Sequence, residues 1–233
     1  MPSGLQPLVY TGDLTEQALA DPNNTHAILI DLVGDHKEVL EIGPATGYMT
    51  RVLVERHRCR VTGFEVNTLA AARARRYLYN LIIGNLEDPD DLAEIEGQYD
   101  VVLIADVIEH LAWPEIPLHS LRKHLRFDGR LIVSVPNVAH WSMRRSLLFG
   151  RWDLDERGLM DRTHLRWYTQ KTARDLLISA GYRIKLHRCS YAFPAHWRLN
   201  FGQRLAAWAQ KRRMPQAFDG LFAIQHIIVA VLE

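Results

Sequence analysis

Glu38-Val39-Leu40-Glu41-Ile42-Gly43-Pro44-Ala45-Thr46-Gly47 decides how this chain of 233 residues is read. The apolar residues of Glu38–Ile42 mark a short buried strand, and Gly43 ends it. Tyr48 to His57 then reads as a helix, so both glycines sit in a strand-to-helix turn. Glycine there allows a tight turn and close backbone approach, and the start of the helix offers amides with no intrahelical partner. Ala45 stands where a standard nucleotide-binding fingerprint has its middle glycine. Taken alone, the turn is also an ordinary strand-to-helix connection.

Outward from that turn the same unit repeats. Arg60 to Glu65 reads as a second strand, Thr68 to Tyr79 as an Ala/Arg helix, and Leu81 to Gly84 as a third strand. Tyr99 to Ala105 is a strongly apolar strand, Ile116 to Leu125 a helix, and Gly129 to Val135 a strand stopped by Pro136. Near-continuous apolar strands alternating with helices predict a parallel sheet covered on both faces. After a helix from Thr172 to Ala180, the runs Arg183–Arg188 and Ala223–Leu232 read as a closing hairpin-like pair. The expectation is an α/β fold, Rossmann-like and doubly wound, with seven strands, mostly parallel with an antiparallel C-terminal strand. One domain is expected. Residues 1–36 form an N-terminal cap, with Ala27 to Val33 as a helix over the entrance. Residues 37–187 and 221–233 form the core, and 188–220, with Trp197, Phe201 and Trp208, is an insertion covering substrate or a subunit partner, which leaves a homodimer open.

With 48% hydrophobic and 24% charged residues the chain can bury a core without staples. Cys59 and Cys189 cannot build a disulfide framework and suggest a reducing, cytoplasmic setting. No signal peptide is read at Met1-Pro2-Ser3-Gly4, and Leu221 to Leu232, broken by Gln225 and His226, is too short to span a bilayer. The formal charge of +1 hides a partition. Residues 1–139 carry 12 basic and 20 acidic side chains, net −8, whereas 140–213 carry 16 and 5, net +11. Near-neutrality therefore excludes nothing about anionic partners. A solvated arginine face explains the basic segment equally well.

Glu65, at the tip of the second strand, is placed to accept hydrogen bonds from ribose hydroxyls, as acidic residues do in doubly wound nucleotide folds. With this residue the sequence resembles the class I S-adenosylmethionine-dependent methyltransferases from about Glu38 to Gly181, at four ordered stations. Glu41 to Gly47, with Gly43, Ala45 and Gly47, looks like the first motif, which holds the methionine part of the cofactor. Glu65 matches the ribose-binding acid. Gly84-Asn85-Leu86 matches the turn that meets the adenine. Ala105-Asp106-Val107-Ile108-Glu109-His110 matches the motif beside the methyl group. Glu41, where an NAD enzyme often has an uncharged position, suits an amine-bearing or cationic part of the ligand. The resemblance implies S-adenosyl-L-methionine as cofactor and methyl transfer as activity.

Asp106, Glu109 and His110 stand at i, i+3 and i+4, so on a helical turn they would share one face. Two carboxylates and an imidazole there would suit Mg²⁺ or Mn²⁺. The pattern resembles the Glu-x-x-Glu-His metal motif of small-RNA 2′-O-methyltransferases and of ubiquinone-pathway O-methyltransferases, with Asp106 in place of the first glutamate. By the same resemblance His164, in His164-Leu165-Arg166-Trp167-Tyr168-Thr169, is nominated as a fourth ligand. Many class I members carry a similar Glu-His pair without a metal, and both readings stay open.

At the substrate end, His140 in Pro136-Asn137-Val138-Ala139-His140-Trp141 is a candidate general base, with Asp106 and His110 beside it as catalytic candidates. Trp141 and the Trp152 and Trp197 rings offer stacking faces, and Arg144, Arg162 and His164 are candidate substrate contacts. Each is also readable as core, cap or solvated surface. The loops from His140 to Thr169 resemble methyltransferases found with bacterial glycan and polysaccharide biosynthesis. That resemblance implies O-methylation of a sugar or oligosaccharide acceptor, with 1-O-methylation of a mannoside as the sharpest form. An RNA ribose 2′-O-methyltransferase is the alternative, although the chain shows no separate RNA-binding module. A non-catalytic cofactor-binding subunit is the third reading.

Overall fold

The computed structural model describes residues 13–193, 204–205, 208–209 and 216–233. Seven strands among them form one sheet: β1 (Glu38–Ile42), β2 (Arg60–Glu65), β3 (Asn80–Ile83), β4 (Tyr99–Ala105), β5 (Leu125–Pro136), β6 (Tyr182–Tyr191) and β7 (Ala223–Leu232). Their spatial order is β3-β2-β1-β4-β5-β7-β6. β1 to β5 run parallel, and β7 is antiparallel to both of its neighbours. The expected α/β architecture, mostly parallel with an antiparallel C-terminal strand, is the one observed.

Apolar side chains of the central strands point alternately to two cores, as the pleat requires. Leu40, Ile42, Val102, Ile104, Leu131 and Val133 line one face, where Leu176 and Leu177 of α8 (Gln170–Ser179) cover them. Val39, Val61, Val101, Leu103 and Ile132 line the other, against Leu29 and Val33 of α2 (Thr25–Val33) and Leu53 of α3 (Tyr48–Glu55). Asn24 caps α2 by accepting from the Ala27 amide. Ile28, Leu29, Ile30 and Val33 are buried, so this helix packs as a layer of the domain. Only its first turn reaches the carboxyl edge of the sheet, where Thr25 Oγ1 lies 2.8 Å from Ser190 Oγ.

Several boundaries move for identifiable reasons. The Ala/Arg helix ends as α4 (Thr68–Ala74) and tightens into a 3₁₀ turn over Arg75–Tyr77. The helix expected to reach Leu125 stops as α6 (Glu115–Leu121), and Leu125 already belongs to β5. β6 runs past the expected boundary at 187, because Cys189, Ser190 and Tyr191 pair with His226, Gln225 and Ala223. The start of the assigned insertion is thus sheet, and its end is a helix, Gln216–Phe222. Trp197 and Phe201, together with the bulk of the insertion and residues 1–12, lie outside the described residues. Among the described residues no helix is long and apolar enough to cross a membrane.

Candidate active site

The parallel strands end at one edge, and the turns leaving β1, β2, β3 and β4 bring the cofactor candidates there. Gly43 has φ +68°, and a Cβ on it would lie 2.7 Å from Val107 Cγ2. Gly47 has φ +79°, and a Cβ on it would lie 3.0 Å from the Ala74 Cα. The first turn must therefore be glycine at both ends, and Ala45 between them also adopts a positive φ of 51°. Glu65 closes this turn from the neighbouring strand. Its Oε2 accepts from the Ala45 amide and its Oε1 from the Asn67 amide, both at 2.9 Å. Two main-chain donors hold the carboxylate in place while each oxygen keeps a lone pair for a further donor.

Glu41 is buried. Its Oε2 accepts from Thr50 Oγ1 at 2.6 Å, and its Oε1 has no hydrogen-bond partner. Burial pushes this carboxyl up to about 7; the Thr50 hydrogen bond opposes the rise and the Glu65 charge adds to it. A buried, half-satisfied carboxyl behind a glycine turn fits a ligand with an amine or cationic group. Asn85 forms a local turn by accepting from the Glu87 amide, Leu86 is buried, and Ala105 ends β4.

Asp106 departs from expectation. Its φ is +52°, and a 3₁₀ turn starts only at Ile108 (Ile108–His110), so no regular helix carries Asp106, Glu109 and His110 on one face. Ser134 Oγ donates to Asp106 Oδ1 at 2.7 Å and Gln225 Nε2 to Oδ2 at 3.3 Å. The ligand-type cluster that forms instead is Glu109, His110 and His164, with donor atoms within 4.8 Å of one another. Asp106 is corrected out of that set: its carboxylate is turned toward Ser134 and Gln225. The two rings of the cluster meet edge-on at 4.8 Å, across 54 residues of sequence. Backbone amides of Leu165 and Arg166 donate to the Glu109 carbonyl and tie the two segments together. Both Glu109 carboxylate oxygens are buried without a hydrogen-bond partner. Burial first, then the Asp106 charge, pushes this carboxyl well above the usual carboxylate range. Burial likewise lowers His164, which leaves its imidazole neutral. A carboxylate with two unsatisfied oxygens beside two imidazoles fits a divalent cation.

His140 is corrected as general base. It is buried at the start of α7 (Trp141–Leu148), where Nδ1 lies 2.8 Å from Ser142 Oγ and Nε2 donates to the Ala192 carbonyl at 2.8 Å. Both ring nitrogens hold the chain in place, and burial keeps the imidazole below its ordinary range. Trp141 Nε1 donates to the same carbonyl, and Arg144 donates to the carbonyls of Ala139 and Gly220. Arg162 forms a surface ion pair with Glu156. Of the four substrate candidates, only His164 joins the cluster.

Two residues not foreseen stand at the same edge. Tyr48 OH, at the first position of α3, lies 3.2 Å from His26 Nε2 of α2, with the rings edge-on. The Asp106 charge bears on both, while burial lowers His26 and raises Tyr48. The only trace in sequence was Tyr48 opening the helix after the turn. A cavity of about 530 Å³, lined by Thr46, Tyr48, Arg51, Arg73 and Tyr77 among others, adjoins the glycine turn and does not include Glu65 or Asp106.

The family model for the methyltransferase domain matches residues 15–187, and the chain belongs to that family. Family and fold together make it a class I S-adenosylmethionine-dependent methyltransferase. A SAM-dependent methyltransferase from Thermotoga maritima shares the fold at 15% identity, covering 93% of this chain and 92% of that one, with a TM-score of 0.61. Another from Archaeoglobus fulgidus is also 15% identical, over 92% and 96% of the two chains, at 0.60. The magnesium protoporphyrin IX methyltransferase of Synechocystis, with bound SAH, is 13% identical over 96% and 90%, at 0.59. No protein among the curated sequences matches the chain.

Proposed function

We propose that the protein methylates a hydroxyl of a sugar or oligosaccharide, with a divalent cation, Mg²⁺ or Mn²⁺, assisting. The observation that carries the metal-assisted form is Glu109: a carboxylate buried beside His110 and His164 with neither oxygen hydrogen-bonded. In this reading Glu41, Gly43, Ala45 and Gly47 hold the amino-acid end of the cofactor. Glu65 takes the ribose hydroxyls, and Asn85, Leu86 and Ala105 frame the adenine and the path to the methyl group. The cofactor supplies an electrophilic methyl on a sulfonium. The acceptor oxygen forms the new O–CH₃ bond as the C–S bond breaks, and the hydroxyl proton must leave. Asp106, oriented by Ser134 and Gln225, accepts that proton. Glu109, His110 and His164 would hold the cation, which would lower the pKa of the acceptor hydroxyl. A mannoside 1-hydroxyl is the specific acceptor favoured by the loops from His140 to Thr169.

A second reading, RNA ribose 2′-O-methylation, is favoured by the same cluster together with the net charge of +11 over residues 140–213. Labelled-methyl transfer to a panel of mannosides, other glycosides and short RNAs, before and after chelation, tests both. The expected result is transfer to a glycoside that stops on chelation and returns with Mg²⁺ or Mn²⁺. Transfer to RNA alone, with steeply salt-dependent binding, would overturn the sugar acceptor. Full activity after chelation would overturn the metal.

A further inference from the structure

The antiparallel pair at the end of the sheet assembles a second group of ligand-type side chains, remote in sequence from the Glu109 cluster. Cys189 pairs with His226 and His187 with Ile228, so residues 187, 189 and 226 share one face of the sheet. His187 Nε2 lies 3.1 Å from His226 Nδ1, and Cys189 Sγ lies 3.6 Å and 3.5 Å from those two nitrogens. These separations carry chemical information. A tetrahedral ion with bonds of about 2.05 Å to nitrogen and about 2.3 Å to sulfur spaces its ligands about 3.3 Å apart for N and N, and about 3.6 Å for N and S. The three donor atoms already stand near those spacings. A planar trigonal ion with the same bonds would spread them to about 3.6 and about 3.8 Å.

The surroundings agree. Cys189 and His226 are buried, and His226 Nε2 has no hydrogen-bond partner. Gln170, the first residue of α8, has its Nε2 3.1 Å from His187 Nδ1, while its buried Oε1 has no partner. With that amide assigned the other way round, Oε1 would accept from the Nδ1–H of His187 and leave the lone pair of His187 Nε2 for the cluster. This is the outer hydrogen bond that metal-ligating histidines use to fix their ring.

We propose that His187, Cys189 and His226 form a zinc site, with one coordination position left for an exogenous ligand. Binding makes two Zn–N bonds and one Zn–S bond and releases the thiol proton to solvent, with no change of oxidation state. The ion pins β6 to β7 one residue from Gln225, whose side chain orients Asp106.

The test titrates the full chain, stripped by a chelator, with Co²⁺ alone and with Zn²⁺ alone. Cobalt on a thiolate gives a sulfur-to-metal charge-transfer band, which the sulfur-free Glu109 cluster cannot produce. The band is expected in the wild-type chain, in Glu109→Gln and in Cys59→Ser, and zinc should displace it. Cys189→Ser should abolish it, and Gln170→Ala should weaken metal binding about 10- to 100-fold. Zinc should also raise the melting temperature of Glu109→Gln, which lacks the other cation site, but not of Glu109→Gln combined with Cys189→Ser. Circular dichroism checks that this near-isosteric variant folds; if it does not, His187→Gln at the half-buried position takes its place. The absence of a charge-transfer band in the wild type, or a band that survives Cys189→Ser and vanishes in Cys59→Ser, would overturn the site.

Discussion

The two halves of the sheet are built differently. From β1 to β4 most candidate cofactor contacts are set by turns of a few residues: glycine at positive φ, the Asn67 amide on Glu65, a local turn at Asn85. From β5 to β6 the side chains of interest meet partners far away in sequence, as His110 meets His164 and Gln225 meets Asp106. Residues 1–139, which hold β1 to β5, are net acidic, and residues 140–213, which hold β6, are net basic. A shared cofactor can be held by short local geometry, whereas an acceptor site is assembled from loops that a rigid scaffold positions.

The sharpest way to break the comparison is at Gly43. Gly43→Val forces a side chain into a positive-φ position against Val107, and strain and overpacking together should weaken cofactor binding about 100-fold or more, read by calorimetric titration. Unchanged affinity would show that the first turn is not the cofactor seat. At Glu41 the expectation concerns acid. Its native value near 7 exceeds that of the unfolded chain, so the folded form holds a proton that the unfolded form has released. Stability from this group is full below about pH 4.5 and is lost as pH rises to about 7, a decline of about 3 kcal/mol. Urea unfolding at pH 5 and 7.5 should show that slope flattened in Glu41→Gln.

Glu65→Ala leaves the Ala45 and Asn67 amides without their acceptor, for a loss of about 2 kcal/mol in unfolding free energy and weaker cofactor binding. In the other half, His140→Ala should destabilise the fold by about 1–2 kcal/mol through α7 and Ala192, while turnover per folded molecule stays near that of the wild type. A specific fall in turnover would restore it as a base. Arg162→Ala, at an exposed pair, should change stability by less than about 0.5 kcal/mol in the same unfolding assay.

The same division explains what could be read from sequence. β1, β2, β4 and β7 fall where the apolar runs place them, because their burial on both faces is written in adjacent residues. The Asp106 spacing misled because i, i+3, i+4 implies one face only on a regular helix, and the backbone at Asp106 is left-handed. His140 looked like a base because its loop lies at the right edge; its two structural partners belong to residues 142 and 192. The pairing of Cys189 with His226 depends on antiparallel register and on a bulge between Ser190 and Tyr191, which no local pattern announces. His26 and Tyr48 escape notice for the same reason: α2 and α3 meet only after both pack on the sheet.

The placement of β7 between β5 and β6 also says something about the order of assembly. During synthesis β6 emerges before the strand that joins it to the sheet, and β5 waits with an unpaired edge. Closing the sheet requires a long-range insertion, the slow and aggregation-exposed kind of step. Gln225 arrives on that inserted strand, so the contact that orients Asp106 forms only when the sheet closes. Chains arrested before that point would carry a formed glycine turn beside an edge that still lacks the Gln225–Asp106 contact.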